Sequence, residues 1–148
     1  GADALIGAGT VLTSQEVTQV DQAGGRLVVS PNCDVEVIGA ATAAGLQSWP
    51  GIFTPSEALT ALKAGATGLK LFPGDMAQPR GLKAMRAILP AGTQVYAVGG
   101  AEPNNFADWI AASADGFGLG SALYKPGDTP QSVAQKARAI VAAFDAAW

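Results

Sequence analysis

"GLKLFPGD", Gly68 to Asp75, places one lysine inside an apolar run that otherwise reads as a buried strand. Taking an ammonium group out of water is costly unless it is paired or gives up its proton, so lysine is among the residues least often found inside. Around this run the chain repeats one scheme: a short apolar stretch ending in Gly, Pro or Ser, followed by an Ala-rich segment of helical period. The apolar stretches are "ALIGAGTV" (Ala4 to Val11), "RLVVSPN", "QSWPGIF", "TGLKLFPGD", "TQVYAVGG" and "GFGLGSALY". The segments after them are "TSQEVTQVDQAGG", "EVIGAATAAGL", "TPSEALTALKAG", "GLKAMRAIL", "PNNFADWIAAS" and "TPQSVAQKARAIVAAFDAAW". Ser14 reads as the cap of the first helix, with Val17 and Val20 on its apolar side. In the third, Thr54 caps, Pro55 sits at the first helical position and Glu57 completes a capping box.

With Thr10, Pro31, Gly51, Lys70, Gly99 and Ser121 marking the strand ends, the separations are 21, 20, 19, 29 and 22 residues. Such alternation predicts parallel strands covered by helices, either an open doubly wound sheet or a (β/α)8 barrel. No G-x-G-x-x-G opens a helix with an acidic residue about 20 positions on, which disfavours the dinucleotide-binding open sheet. In barrels, phosphate sites often form from the loops after strands seven and eight. Here the last two strands end in "VGG" (Val98 to Gly100) and "LGS" (Leu119 to Ser121). Glycines such as Gly99, Gly100 and Gly120 let backbone N–H groups approach oxygens closely, and the Ser121 hydroxyl adds a donor. Counting those two strands as seven and eight makes the first visible one the third. The expectation is thus a single α/β domain over residues 1–148, a (β/α)8 TIM barrel with about six of its eight units present and two expected before Gly1. A complete six-stranded open α/β domain is the alternative.

Composition narrows the function. The chain is 49% hydrophobic and 14% charged, with a net charge of −3 and no long basic run. That argues against a nucleic-acid surface, and no stretch approaches the ~20 apolar residues of a membrane helix. Small molecules and copies of itself are the expected partners. The single cysteine, Cys33, cannot form an internal disulfide, and no signal segment opens the chain, so a reducing cytoplasm is the expected location. Histidine is absent, which removes imidazole as base or metal ligand. Lys63, Lys83, Lys125 and Lys136 fall on helical or loop segments, leaving Lys70 as the strand lysine, near a carboxyl end where barrels carry their chemistry and among Leu69, Leu71 and Phe72. Apolar surroundings disfavour the ammonium form, and only the free amine attacks a carbonyl. A Schiff-base lysine acting on a keto compound follows; the competing reading has Lys70 facing outward and snorkelling between helices.

"LKLFP" with Lys70, "GAGTV" with Thr10, "SPN" with Pro31, "PGIFTPSEA", "AVGG" and "GLGSALY" together resemble the KDPG/KHG aldolases, which cleave 2-keto-3-deoxy-6-phospho sugar acids. The likeness covers essentially the whole chain, in order. It implies a homotrimeric barrel and metal-free, cofactor-free class I cleavage to pyruvate and D-glyceraldehyde 3-phosphate. By the same resemblance Lys70 forms the imine, Thr10 binds the pyruvyl carboxylate, Pro31 and Phe72 line the pocket, and Gly99, Gly100, Gly120 and Ser121 hold phosphate. Val98 stands where the galactonate enzymes carry valine and the gluconate enzymes commonly carry threonine, which favours the galactonate substrate over its epimer.

The sequence departs from the family in one respect. The resemblance implies a glutamate base on an early strand and an arginine near the amino end, yet none of the 12 acidic residues lies inside an apolar strand before Thr10. Two other function classes share the glycine loops. A phosphate-binding barrel of another reaction type, such as a thiamin-phosphate-synthase-like or indole-synthesis-like enzyme, would not need Lys70, and a binding module would hold a phosphosugar acid without releasing pyruvate.

Overall fold

A computed structural model describes residues 4–148. Residues 1–3, where the sequence suggests the end of a helix, lie outside the described residues. Strands β1 (Gly7–Gly9), β2 (Leu27–Val29), β3 (Gln47–Trp49), β4 (Gly51–Ile52), β5 (Leu69–Leu71), β6 (Val95–Val98) and β7 (Gly116–Gly118) alternate with helices α1 (Ser14–Gln22), α2 (Val35–Ala43), α3 (Pro55–Lys63), α4 (Gly74–Arg86), α5 (Phe106–Ala111) and α6 (Pro130–Ala147). Every strand pairing is parallel, in the orders β1-β2-β3 and β4-β5-β6-β7. The two groups are joined through Pro50, between β3 and β4. Proline has no N–H to give the ladder, so pairing breaks there. Its carbonyl still accepts from the Lys70 N–H at 2.9 Å, and the Trp49 carbonyl accepts from Ser30 N–H at 3.2 Å. The "QSWPGIF" run therefore serves as one strand with a proline break, and six sequential parallel strands form the wall.

Strand alternation decides the architecture. Val28, Leu69, Leu71, Val95 and Ala97 are wholly buried and point to one face, where they meet Val17, Val37, Ile38, Ala58, Ala61, Leu82 and Trp109 from the helices. Phe117 points the same way, stacked on Phe106 at 4.2 Å and edge-on to Phe144 of α6 at 6.1 Å. All six helices thus cover one face. A doubly wound sheet carries helices on both, whereas a barrel wall carries them outside only. The other face holds Leu27, Val29, Gln47, Trp49, Lys70, Tyr96 and Val98, with glycine at positions 7, 9, 51, 116 and 118. The structure is the wall of a (β/α) barrel, as the alternation of the sequence indicates.

Local signals account for the helix starts, with two corrections. Thr13 rather than Ser14 caps α1: its hydroxyl accepts from Glu16 N–H, and the Glu16 carboxylate accepts from Thr13 N–H. The S/T-x-x-E spacing demands the residue three before the glutamate. At α3 the expected box is present, with Glu57 accepting from the N–H groups of Phe53 at 2.9 Å and Thr54 at 2.7 Å. These bonds, Phe53 foremost, hold the Glu57 carboxyl below its ordinary range despite partial burial. The second correction concerns "GFGLGSALY", where the strand stops at Gly118. Residues 120–124 form a turn, with the Gly120 carbonyl accepting from Leu123 and Tyr124 N–H.

The amino ends of the strands are stapled. Arg86 donates to the carbonyls of Thr93 and Ser113 and to the Asp115 carboxylate, which also accepts from Val95 N–H at 2.7 Å. In barrels this end is the stability face, and the carboxyl ends carry function. No helix among the described residues is long and apolar enough to cross a membrane.

Candidate active site

Lys70 occupies the middle of β5, in register with Gly51 on β4 and Tyr96 on β6. Its neighbours in sequence, Leu69 and Leu71, face the helices, so they do not surround the amine as the linear sequence suggests. Lys70 instead projects to the inner face, into a cavity of about 360 Å³ that Leu27, Val29, Gln47, Trp49, Tyr96 and Val98 also line. The outward, snorkelling alternative is thereby excluded. No carboxylate lines this cavity among the described residues. Burial pushes the Lys70 amine below the ordinary lysine range. One contact works the other way: Nζ stands 4.5 Å from the centroid of the Phe72 ring, whose π face favours the cation. Burial prevails, leaving an amine more readily deprotonated than a free one.

The other sequence-derived residues sit at the carboxyl ends of the same strands. Thr10 follows β1, Pro31 lies just beyond β2, and Phe72 follows β5. Val98 ends β6, with Gly99 and Gly100 after it, and Gly120 and Ser121 lie beyond β7. Several of them touch. Phe72 ring atoms would stand 3.6 and 3.7 Å from a Cβ at Gly99. A Cβ at Gly51, the register neighbour of Lys70, would sit 2.1 Å from the Pro31 carbonyl oxygen, so glycine there lets the Pro31 loop close against the strand. Gly99 and Gly100 have φ of +93° and +69°, a left-handed pair that disfavours any side chain. Ser121 is exposed in its turn. Thr10 stands apart. At φ +58°, strained for a β-branched residue, it lines a hollow on the free edge of β1 beside α1 rather than the Lys70 cavity.

A row of strand ends thus sets an inward lysine beside a double-glycine turn on the adjacent strand. Residues 1–136 match the family described as KDPG and KHG aldolase. This chain belongs to that aldolase family. It is 50% identical over 147 residues to a probable 2-dehydro-3-deoxy-6-phosphogalactonate aldolase of Rhizobium meliloti (strain 1021), covering 99% of this chain and 69% of the relative. It is 46% identical to the 2-dehydro-3-deoxy-6-phosphogalactonate aldolase of Escherichia coli (strain K12), covering 97% of this chain and 70% of that one. A solved structure described as native KDPGal superposes with a TM-score of 0.97 at 46% identity, over 99% of this chain and 71% of the other.

Several cavity residues of this aldolase escaped the sequence reading, Leu27, Val29 and Gln47 among them, and above all the aromatic pair Trp49 and Tyr96. Their rings lie 4.5 Å apart and both line the Lys70 cavity. Glycines make room for them: a Cβ at Gly68 would strike the Trp49 ring at 2.4 Å, and one at Gly116 the Tyr96 ring at 3.0 Å. The signal was present. Tyr96 lies two residues before Val98, and the two-residue period puts both on one face.

Proposed function

We propose that this aldolase cleaves 2-dehydro-3-deoxy-6-phosphogalactonate to pyruvate and D-glyceraldehyde 3-phosphate through an imine on Lys70. The observation that carries the reading is the inward Lys70 amine, held partly out of water with no counter-ion among the described residues of its cavity. The free amine adds to the C2 carbonyl, and loss of water gives a protonated imine. The C4 hydroxyl gives up its proton, the C3–C4 bonding pair moves into the C2–C3 bond, and the imine nitrogen takes up the charge as an enamine. Glyceraldehyde 3-phosphate leaves. Protonation at C3 and hydrolysis of the imine then release pyruvate and restore the amine.

In the same reading Pro31 and Phe72 wall the pocket and Gly99, Gly100, Gly120 and Ser121 hold the phosphate; the pyruvyl carboxylate is given to Thr10 by the family resemblance alone, since Thr10 lines a separate hollow beside α1. Val98, beside Lys70 in the cavity, favours the galactonate epimer over the gluconate one, a modest preference as expected of a single apolar contact. Because no carboxylate lines the cavity among the described residues, residues 1–148 alone are expected to form the imine but to cleave the carbon–carbon bond slowly. Missing acid–base catalysis costs roughly 10²- to 10⁴-fold. The reading also carries a homotrimer, tested by light scattering of the full-length protein: a mass of one chain counts against it.

The phosphate role has its own test. Ser121→Ala in the full-length protein is expected to raise KM for the phosphorylated substrate by about tenfold to a hundredfold, the loss of one hydrogen bond to a charged group, with little change in pyruvate trapping at Lys70. Equal losses on phosphorylated and unphosphorylated substrates would contradict it.

A further inference from the structure

The loop after β5 and the loop after β6 touch where a side chain would keep them apart. A Cβ at the buried Gly74 would lie 2.5 Å from the Gly99 carbonyl oxygen and 3.0 Å from that of Val98. Next to it, a Cβ at Gly100 would lie 2.8 Å from the Asp75 Cβ. Phe72 completes the series, packing its ring on Gly99 while Lys70 Nζ stands over its face. The strand loop that carries the lysine is therefore keyed directly to the double-glycine turn.

We infer that Gly74 is a positioning residue: its lack of a side chain seats the first turn of α4 against Val98 to Gly100 and fixes the distance between the double-glycine turn and Lys70. The inference rests on the phosphate role proposed above and deepens it. The substrate is a short chain held at both ends, C2 on the lysine and the phosphate on C6, so the spacing of the two loops determines whether both ends engage together. Alanine at position 74 meets main-chain oxygen rather than a flexible side chain, and the Gly99 carbonyl must retreat from 2.5 Å towards the 3.4 Å of ordinary contact. Displacements of that size far from the bond being broken can cost up to about 10²-fold.

In the full-length protein, Gly74→Ala is expected to raise KM for the phosphorylated substrate and the calorimetric Kd of glyceraldehyde 3-phosphate by about tenfold. Borohydride trapping of pyruvate at Lys70 should stay within about twofold. Gly81→Ala, beyond the break at Gln78 and with only ordinary contact to the Ala77 Cβ at 3.7 Å, should leave all three unchanged. Unaltered KM and Kd in Gly74→Ala would overturn the inference. So would a parallel loss of trapping, which reads general damage. Should Gly74→Ala fail to fold, Asp75→Gly removes the carbon that abuts Gly100 from an exposed position, and a Kd unchanged in that variant is equally contrary. If the wild type traps no pyruvate at Lys70 while Gly74→Ala still weakens glyceraldehyde 3-phosphate, the imine reading falls and the positioning role stands.

Discussion

Lys70→Arg is expected to lower turnover of the full-length protein by about 10⁴-fold or more, equivalent to roughly 5.4 kcal/mol of transition-state stabilisation. The substitution keeps the charge and approximate length, but a guanidinium stays protonated throughout the accessible pH range and cannot add to a carbonyl. Lys70→Met separates chemistry from folding. It removes a half-buried amine that has no counter-ion among the described residues of its cavity, so thermal stability should hold or rise while activity is lost. Substantial turnover by either variant would remove the lysine from the mechanism.

Gly51→Ala is expected to destabilise the fold by about 3 kcal/mol, at the upper end of ordinary overpacking. At this chain length that is a fall in Tm of roughly 10 °C. The added Cβ would lie 2.1 Å from the Pro31 oxygen, 2.3 Å from its carbonyl carbon and 2.9 Å from Asn32 N, all main-chain atoms with no rotamer to yield. Because Pro31 belongs to the proposed pocket, surviving folded protein should also trap pyruvate more slowly. Gly39→Ala is the control. It lies on an exposed position of α2 with nothing within 4 Å of the new carbon, and the same change there should stabilise by up to about 1 kcal/mol. Equal melting temperatures for the two variants would refute the close approach of β4 to the Pro31 loop.

The barrel wall was legible because each strand ended in a turn residue and each helix opened with its own signal. Thr54, Pro55 and Glu57 settle the start of α3 from sequence alone. Lys70 was legible for a different reason, as a charge in an apolar run. Its surroundings were not. The leucines on either side in sequence face the opposite way, and Trp49 and Tyr96, which wall the cavity beside the expected Val98, come from strands 21 and 26 positions away. Pairing register, which composition does not encode, brings them together. α4 is two helical stretches: Gln78 adopts φ +58° and ψ 164° before Pro79, which separates a short first turn at Gly74 from the longer helix that opens at the proline. Nothing in "FPGD" announces that first turn, and it is the turn that carries Gly74 under the double glycine.

Borohydride reduction in the presence of pyruvate, followed by peptide mass mapping, tests the central claim most directly. A reduced pyruvyl imine should be found on Lys70, with Lys63, Lys83, Lys125 and Lys136 unmodified. Because burial lowers the Lys70 pKa, the trapping rate should climb with pH as the ammonium form is lost and should level off below the ordinary lysine range. Label on an exposed lysine beside an unmodified Lys70 would contradict the account.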